Sequence, residues 1–411
     1  MWSDKLVYVV LATAEPQRAL RLIESMKKHL PNYRVISSLL LIGKAERLEQ
    51  APLNASVNVI DHLSYYPSIS ESRNICQSYL RIQMNEKSGI GLVLDDDLIW
   101  TMSEESFTPL VEELKHLKCD MAFGALSGDA PIPKEYTRAS PLLDVIIAIN
   151  NNCYYKKTKN IENYVASVSL QDRSNVTTNR HHDYYSFKPE KFNAQQVLIE
   201  KLDWSEFIIN LAHGKITTRL MELPDEIKPA TGRERGGSTL IFNSDVLLCK
   251  NDSISCLGIT SRRGDMLMAS EAHFLGFNLF NVPSFLSHQR EESFDSHDYK
   301  KLIGDIIGYS IVEYKTDNRN SPKSFIGHLT SRINTTIFIL KETTTMLSVL
   351  KDWLNDNKNL NEEISFAIST MIEENSISIN YLQSFDIQAA IEPFNKLMNK
   401  KTWSSSQCLV G

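Results

Sequence analysis

The stretch Gly91-Leu-Val-Leu-Asp-Asp-Asp-Leu-Ile-Trp100 carries an apolar run straight into three consecutive carboxylates, Asp95, Asp96 and Asp97. Unpaired carboxylates at the end of a buried strand cost several kcal/mol in lost hydration, so positive charge should meet them. Acids on alternate residues can place one oxygen on a metal and another on a ribose hydroxyl or a bridging water. Mg²⁺ or Mn²⁺ suits such hard oxygen ligands, particularly with diphosphate oxygens completing the set. The competing interpretation is a strand that ends in a solvated acidic turn.

Three further groups have chemistry to offer. Ser72-Arg73-Asn74 stands at a predicted helix start, where an arginine and free backbone N–H groups suit an anionic or nucleotide group. Alternatively, Arg73 simply pairs with the acid triplet. Gly236-Gly237 precedes a predicted strand and allows close backbone approach to a ligand, which we assign to the acceptor side. In Arg262-Arg263-Gly264-Asp265 two guanidiniums stand beside a carboxylate. The arginines can clamp phosphate and Asp265 can act as a general base or anchor an acceptor hydroxyl; ordinary salt bridges around a helix cap are the alternative. His288 and Arg290 follow an apolar stretch. A lone histidine is more often structural than a ligand, and the same holds for His181, His182, His213 and His273.

The elements around these residues predict an α/β unit. Leu6–Thr13 is a β-branched run that ends in a polar residue, as a buried parallel strand does. Pro16 opens a helix, and further strands are predicted at 34–43, 57–60 and 91–94, with a helix capped by Ser70 before the last. The order β-α-β-β-α-β implies a mostly parallel sheet flanked by helices, with ligands beyond the carboxyl ends of its strands. Thr13 and the acid triplet both lie at such ends. Strands are also expected at 121–126 and 278–282, and a helix through about Leu275. Between about 127 and 230 the pattern loosens into an accessory insertion. After about Asp298, apolar residues recur at helical spacing over 302–314, 323–346, 347–353, 362–374 and 377–397, and the tail from Thr402 should be loose. We therefore expect one α/β domain over 1–297 and a helical subdomain over 298–411.

The chain of 411 residues is 42% hydrophobic with a formal net charge of −6, which argues against broad nucleic-acid binding. Its six scattered cysteines contain no CxxC and read as reduced thiols of a cytoplasmic protein. The apolar run near the N-terminus is too short to span a membrane; peripheral membrane contact and oligomeric state stay open.

In this order, Arg73-Asn74, Leu-Asp-Asp-Asp97, Gly236-Gly237, Arg262-Arg263-Gly-Asp-Met266 and Pro283…His288-x-Arg290 resemble a nucleotide-sugar glycosyltransferase of the GT-A (Rossmann-like) fold, in the manner of the large inverting family 2 with many bacterial members. The resemblance covers roughly 5–126 and 232–290. It implies a metal-dependent, non-processive transfer of a sugar from a nucleotide-diphosphate donor, with UDP-sugars favoured, to a glycan or other hydroxyl acceptor. Asp95 and Asp97 then match the outer acids of a D-x-D motif, with Asp97 the direct Mn²⁺ or Mg²⁺ ligand and His288 completing the site. Thr13 lies near the nucleobase, and Arg73, Asp95, Asp96, Arg262 and Arg263 on the donor side. Asp265 matches the base that deprotonates the acceptor. Gly264 replaces the usual acid before that base, and without a base a retaining route opens. Two alternatives stand beside it. One is a non-catalytic binding protein with a degenerate transferase core. The other is an Asp-nucleophile phosphotransferase or phosphatase, whose motif would ordinarily follow the first strand.

Overall fold

The computed structural model describes residues 5–43, 57–151, 158–167, 186–187, 199–215, 218, 221–290, 299–316 and 322–408. Nine strands form one mixed sheet: β1 (Leu6–Thr13), β2 (Arg34–Ile42), β3 (Val57–Leu63), β4 (Ile90–Leu94), β5 (Leu98–Trp100), β6 (Met121–Gly128), β7 (Lys228–Pro229), β8 (Thr239–Ile241) and β9 (Leu279–His288). The spatial order is β3-β2-β1-β4-β8-β6-β9-β5, with β7 alongside β9. The β1/β2, β2/β3, β1/β4 and β6/β9 pairs are parallel. Strand β8 runs antiparallel to both β4 and β6, and β5 and β7 antiparallel to β9.

The larger helices are α1 (Pro16–His29), α2 (Ile69–Glu86), α3 (Glu104–His116), α4 (Ala139–Asn151), α5 (Trp204–His213), α6 (Gly264–Phe274), α7 (Tyr299–Thr316), α8 (Pro322–Asp356), α9 (Glu362–Ser384) and α10 (Ile391–Cys408). The alternation along β1 sorts them into two layers. Val7, Val9 and Leu11 face a core with Leu22, Ile23 and Met26 of α1 and Phe107 and Leu114 of α3. That same apolar cluster continues into α4, α5 and α7 to α10. Leu6, Tyr8 and Val10 face the other way, onto Cys76, Leu80 and Met84 of α2 and Met268, Ala269 and Ala272 of α6. The expected α/β sheet flanked by helices, followed by a helical C-terminal region, is therefore present.

Several boundaries differ from the sequence-based expectation. The cap of α2 is Ser68, whose hydroxyl accepts the Glu71 N–H; Ser70 lies inside the helix. Ser68-Ile-Ser-Glu71 has capping-box spacing, two residues before the cap chosen from sequence. Strand β9 does not stop before Pro283 but runs on to His288 through a register shift between Val282 and Leu286. An irregularity there accommodates a proline that lacks a ladder donor. Helix α8 is continuous over 322–356, where two segments were expected. Likewise Asn375 does not break α9: it is buried, and its Nδ2 donates to Leu340 O and Thr344 Oγ1 of α8. The supposedly loose stretch after Ser127 contains α4, buried from Ala139 to Ile149. A helix that is apolar all round has no periodic stripe to read. Helix α10 also extends through part of the tail expected to be loose. The His181-His182-Asp183 cluster lies outside the described residues. Cys76, Cys119, Cys249 and Cys256 are buried. Among the described residues, no helix is long and apolar enough to cross a membrane.

Candidate active site

The order β2-β1-β4 reverses direction of growth at β1/β4, the switch point at which open α/β sheets bind ligands. A cleft of about 390 Å³ opens there beyond the strand ends. Its walls carry Asp95, Asp96 and Asp97 after β4, and Arg73 from α2. Facing them are Arg235 from the glycine-rich segment and Arg262, Arg263 and Asp265 at the start of α6.

The three acids of the triplet have separate partners. Asp95 takes Arg73 through both carboxylate oxygens, each 2.8 Å from Nη2. Arg73 also reaches Asp265 Oδ2 through Nη1 at 3.2 Å, so one guanidinium links two carboxylates 170 positions apart in sequence terms, from β4's end to α6. Asp265 is 4% exposed. Its Oδ2 also accepts the Gly236 N–H at 3.0 Å, and Arg235 Nε lies 3.9 Å away. Burial alone would raise the Asp265 pKa, but the charges of Arg73, Arg235 and Arg263 and the Gly236 amide hold it well below the usual carboxylate range. A carboxylate so engaged is a weak base until Arg73 leaves it. Gly237 sits beside the same cluster, since a Cβ there would lie 3.4 Å from Asp95 Oδ2. The glycine pair thus lies against the acid–arginine network.

Asp96 turns toward β1, where Thr13 Oγ1 donates to its Oδ2 at 2.5 Å. Thr13 Oγ1 also accepts the Glu15 N–H at 2.9 Å. Thr13 itself is buried at 1% exposure, while its neighbours Ala12, Ala14 and Glu15 line the cleft. Burial pushes the Asp96 carboxyl up to about 6 against the lowering effect of the Thr13 hydrogen bond.

Asp97 meets His288, with Nε2 3.0 Å from Oδ2. Register brings together two residues 191 positions apart: Leu98, the first residue of β5, pairs directly with His288, the last of β9. His288 Nδ1 lies 2.7 Å from Asp129 O. A carbonyl only accepts, so Nδ1 carries a proton. In a neutral ring, Nε2 would then present a lone pair to the Asp97 carboxylate. Either a second ring proton or a cation must separate the two acceptors. Burial acts to raise the Asp97 pKa, but the hydrogen bond and charge of His288 outweigh it and lower it. An oriented imidazole beside a carboxylate could serve as a partial ligand set for Mn²⁺, whereas Mg²⁺ would take only the Asp97 oxygens and leave His288 to orient them. Asp95, expected as the second acidic ligand, is turned to Arg73 instead. Among the described residues no three His, Cys, Asp or Glu side chains converge on one point. A divalent cation beside Asp97 would have to take most of its ligands from water or donor oxygens.

The adjacent arginines Arg262 and Arg263 differ in exposure. Arg263 Nη2 is 2.5 Å from Asp305 Oδ2, and its side chain is only 2% exposed. Arg262 Nε is 3.3 Å from Asp305 Oδ1 with 29% of its side chain exposed to the cleft. Arg290 is committed elsewhere, to the Ala130 and Ile132 carbonyls. Arg235 and Asp305 were not singled out from sequence. Arg235 directly precedes the glycine pair, which was a usable signal; a single aspartate in an otherwise apolar helix gave none.

No protein family and no curated protein matches the sequence. Solved structures of S. aureus TarS are similar to this chain. TarS 1-349 in complex with UDP-GlcNAc aligns at 9% identity with a TM-score of 0.36, covering 92% of this chain and 91% of that one. The same TarS fragment in complex with UDP gives the same identity, coverage and TM-score. A longer TarS structure aligns at 8% identity and a TM-score of 0.35, over 92% of this chain and 54% of that one. The site's own geometry, rather than these weak likenesses, carries the functional assignment below.

Proposed function

We propose that this chain is a glycosyltransferase that moves a sugar from a nucleoside-diphosphate donor to an acceptor hydroxyl. One observation carries this. At the switch point of the sheet, the cleft sets Asp97, backed by the buried His288 imidazole 3.0 Å away, opposite an arginine-rich wall around Asp265. That is a place for a divalent cation beside a place for phosphate.

In this scheme the acceptor oxygen bonds to the anomeric carbon as the carbon–oxygen bond to the diphosphate breaks, the electron pair leaving with the nucleoside diphosphate. Arg73, Arg235 and Arg262 stabilise the negative charge gathering on the leaving group. Asp97 and His288 would hold Mn²⁺ or Mg²⁺, which when bound supplies further neutralisation of that charge. Asp265 takes the proton from the acceptor hydroxyl, giving direct displacement with inversion. Its engagement by Arg73 sets a condition: the donor diphosphate must draw Arg73 away before Asp265 becomes basic enough. Asp96 and Thr13 fix the loop between β4 and β5 at the donor side. The phosphotransferase alternative fits less well, because both oxygens of Asp95 are occupied by Arg73 rather than free to attack phosphorus.

The test is a thermal-shift panel of UDP-, GDP-, CMP- and dTDP-sugars with and without Mn²⁺, UDP-sugars first. A donor whose stabilisation requires Mn²⁺, followed by transfer or slow hydrolysis, supports the proposal. No shift with any donor, with or without Mn²⁺, overturns it in favour of a non-catalytic binding protein.

A further inference from the structure

The arginines of the cleft are not held by the sheet alone. The segment 260–264 lies under α7, and the fit is close. Arg262 N donates to Gly304 O at 2.9 Å. A Cβ on Gly304 would lie 2.6 Å from Thr260 O, and one on Gly308 would lie 2.0 Å from Arg262 O. Only glycines permit this approach of helix to loop, and they stand one helical turn apart, on one face of α7. Between them Asp305, 1% exposed, projects into the pair Arg262 and Arg263. Arg263 adopts a left-handed φ of 71° as the cap of α6, a conformation unusual for a residue with a side chain. Its guanidinium also lies 4.9 Å from the Tyr309 ring of α7. Both arginines border the cleft, but only Arg262 keeps a substantial part of its side chain exposed, 29% against 2% for Arg263.

We propose that Asp305 is a positioning residue that presents Arg262 to the donor diphosphate, with Arg263 serving as the buried countercharge of Asp305 and not touching the donor. The helical C-terminal region then completes the donor site through α7. Two arginines alone would repel one another and swing freely into solvent. One buried carboxylate shared between them holds Arg262 by an ion-pair contact at Nε, 3.3 Å from Oδ1, and leaves the rest of its guanidinium for phosphate. The inference rests on Arg262 contacting the donor diphosphate, as proposed above.

The test uses the full chain and titrates UDP, GDP, CDP and dTDP, each against its own nucleoside, by calorimetry. Asp305→Asn keeps the shape and removes the charge. It should weaken the best-binding nucleoside diphosphate by tenfold or more, on the order expected for a lost charge-assisted contact, and leave the nucleoside unchanged. Arg262→Ala should do the same. The double variant should bind no more weakly than Arg262→Ala, because Asp305 acts through Arg262. A general structural defect would instead weaken nucleoside and diphosphate together, and would overturn the inference. So would additive losses in the double variant, or wild-type diphosphate affinity in Asp305→Asn while Arg262→Ala is weakened. If Arg262→Ala also binds as wild type, or no diphosphate binds the wild type, the donor assignment itself fails. Should Asp305→Asn prove too unstable to titrate, Gly308→Ala displaces the Arg262 carbonyl from the helix side. It should show the same diphosphate-selective loss, and wild-type affinity there overturns the inference.

Discussion

Asp95 and Asp97 are the same residue type, two positions apart on one loop, yet they belong to opposite poles of the cleft. Asp95 is neutralised from within, by Arg73, which in turn holds the buried Asp265. Asp97 pairs with His288, whose tautomer is set from behind by a backbone carbonyl. The first pole is an ion network in which Arg73 and Arg235 balance Asp95 and Asp265 without any ligand. The second holds two groups that, with the ring neutral, need a proton or a cation between them. The difference teaches that a D-x-D pattern does not by itself distribute roles: the partner brought by the fold does. One acid is spent on organising arginines, and the other is left to engage a ligand.

This contrast predicts that the two poles fail differently. Asp97→Ala should lower glycosyl transfer roughly a thousandfold, given the several kcal/mol that cation-based charge stabilisation supplies. Its folding stability should fall less than that of Arg73→Ala, since only the partly exposed Asp97–His288 contact is lost. Substrate turnover by this variant at the wild-type rate would remove the catalytic distinction. Arg73→Ala should behave in the reverse sense, with a large stability loss of about 3 kcal/mol in urea unfolding, because it strands the buried Asp265 carboxylate without its closest countercharge. Adding Asp265→Asn should restore part of that loss, since the stranded charge is then gone. If Arg73→Ala unfolds at the wild-type urea concentration, the network is not the stabilising unit described here.

The poles also differ in how legible they were in sequence. The strand pattern of the first hundred residues announced an α/β sheet, because buried parallel strands are written as continuous β-branched runs such as Leu6–Thr13. It thereby placed the triplet at a ligand edge. Arg73 lies close in sequence and on a recognisable helix, so its proximity to Asp95 was open to inspection. The Asp97–His288 contact was nameable only through a family resemblance. Its physical cause is the β5/β9 register, and β5 is a three-residue strand that no periodicity can reveal. Asp305 was invisible for a different reason: a single acid within an apolar helix has no pattern, and only the glycines beside it record the close packing. Thr13 was placed near the nucleobase by resemblance, whereas its hydroxyl is turned onto Asp96.

A smaller effect sharpens the histidine pole. His288→Gln removes the imidazole but keeps a polar side chain of similar reach. Mn²⁺ affinity, read as the concentration that half-saturates the thermal shift in the presence of donor, should weaken by tenfold or more. The nucleoside diphosphate affinity measured in EDTA should not change, because the arginine wall is untouched. Equal loss in both titrations would mean that His288 supports the fold of the cleft rather than a cation.

The smallest expected effect concerns Asp96, which belongs to neither pole. Its folded-state pKa is raised to about 6, chiefly by burial, above the ordinary value of 3.8. For an acid raised in this way, the charged form is the one the fold disfavours. Below the unfolded value both states hold the proton and the fold suffers no penalty. As pH rises from about 4 to 6 the unfolded chain releases the proton first, so stability falls across that window and the penalty is complete above it. Asp96→Asn keeps an acceptor for the Thr13 hydroxyl and cannot ionise. Without metal or donor, its melting temperature should exceed that of wild type by a few degrees at pH 8, and the difference should vanish by about pH 4. A difference that is constant with pH would show that the Asp96 pKa does not change on folding, and one that grows toward acid would show that Asp96 is stabilised in its charged form. The triplet would then need a countercharge at its centre as well as at its two ends.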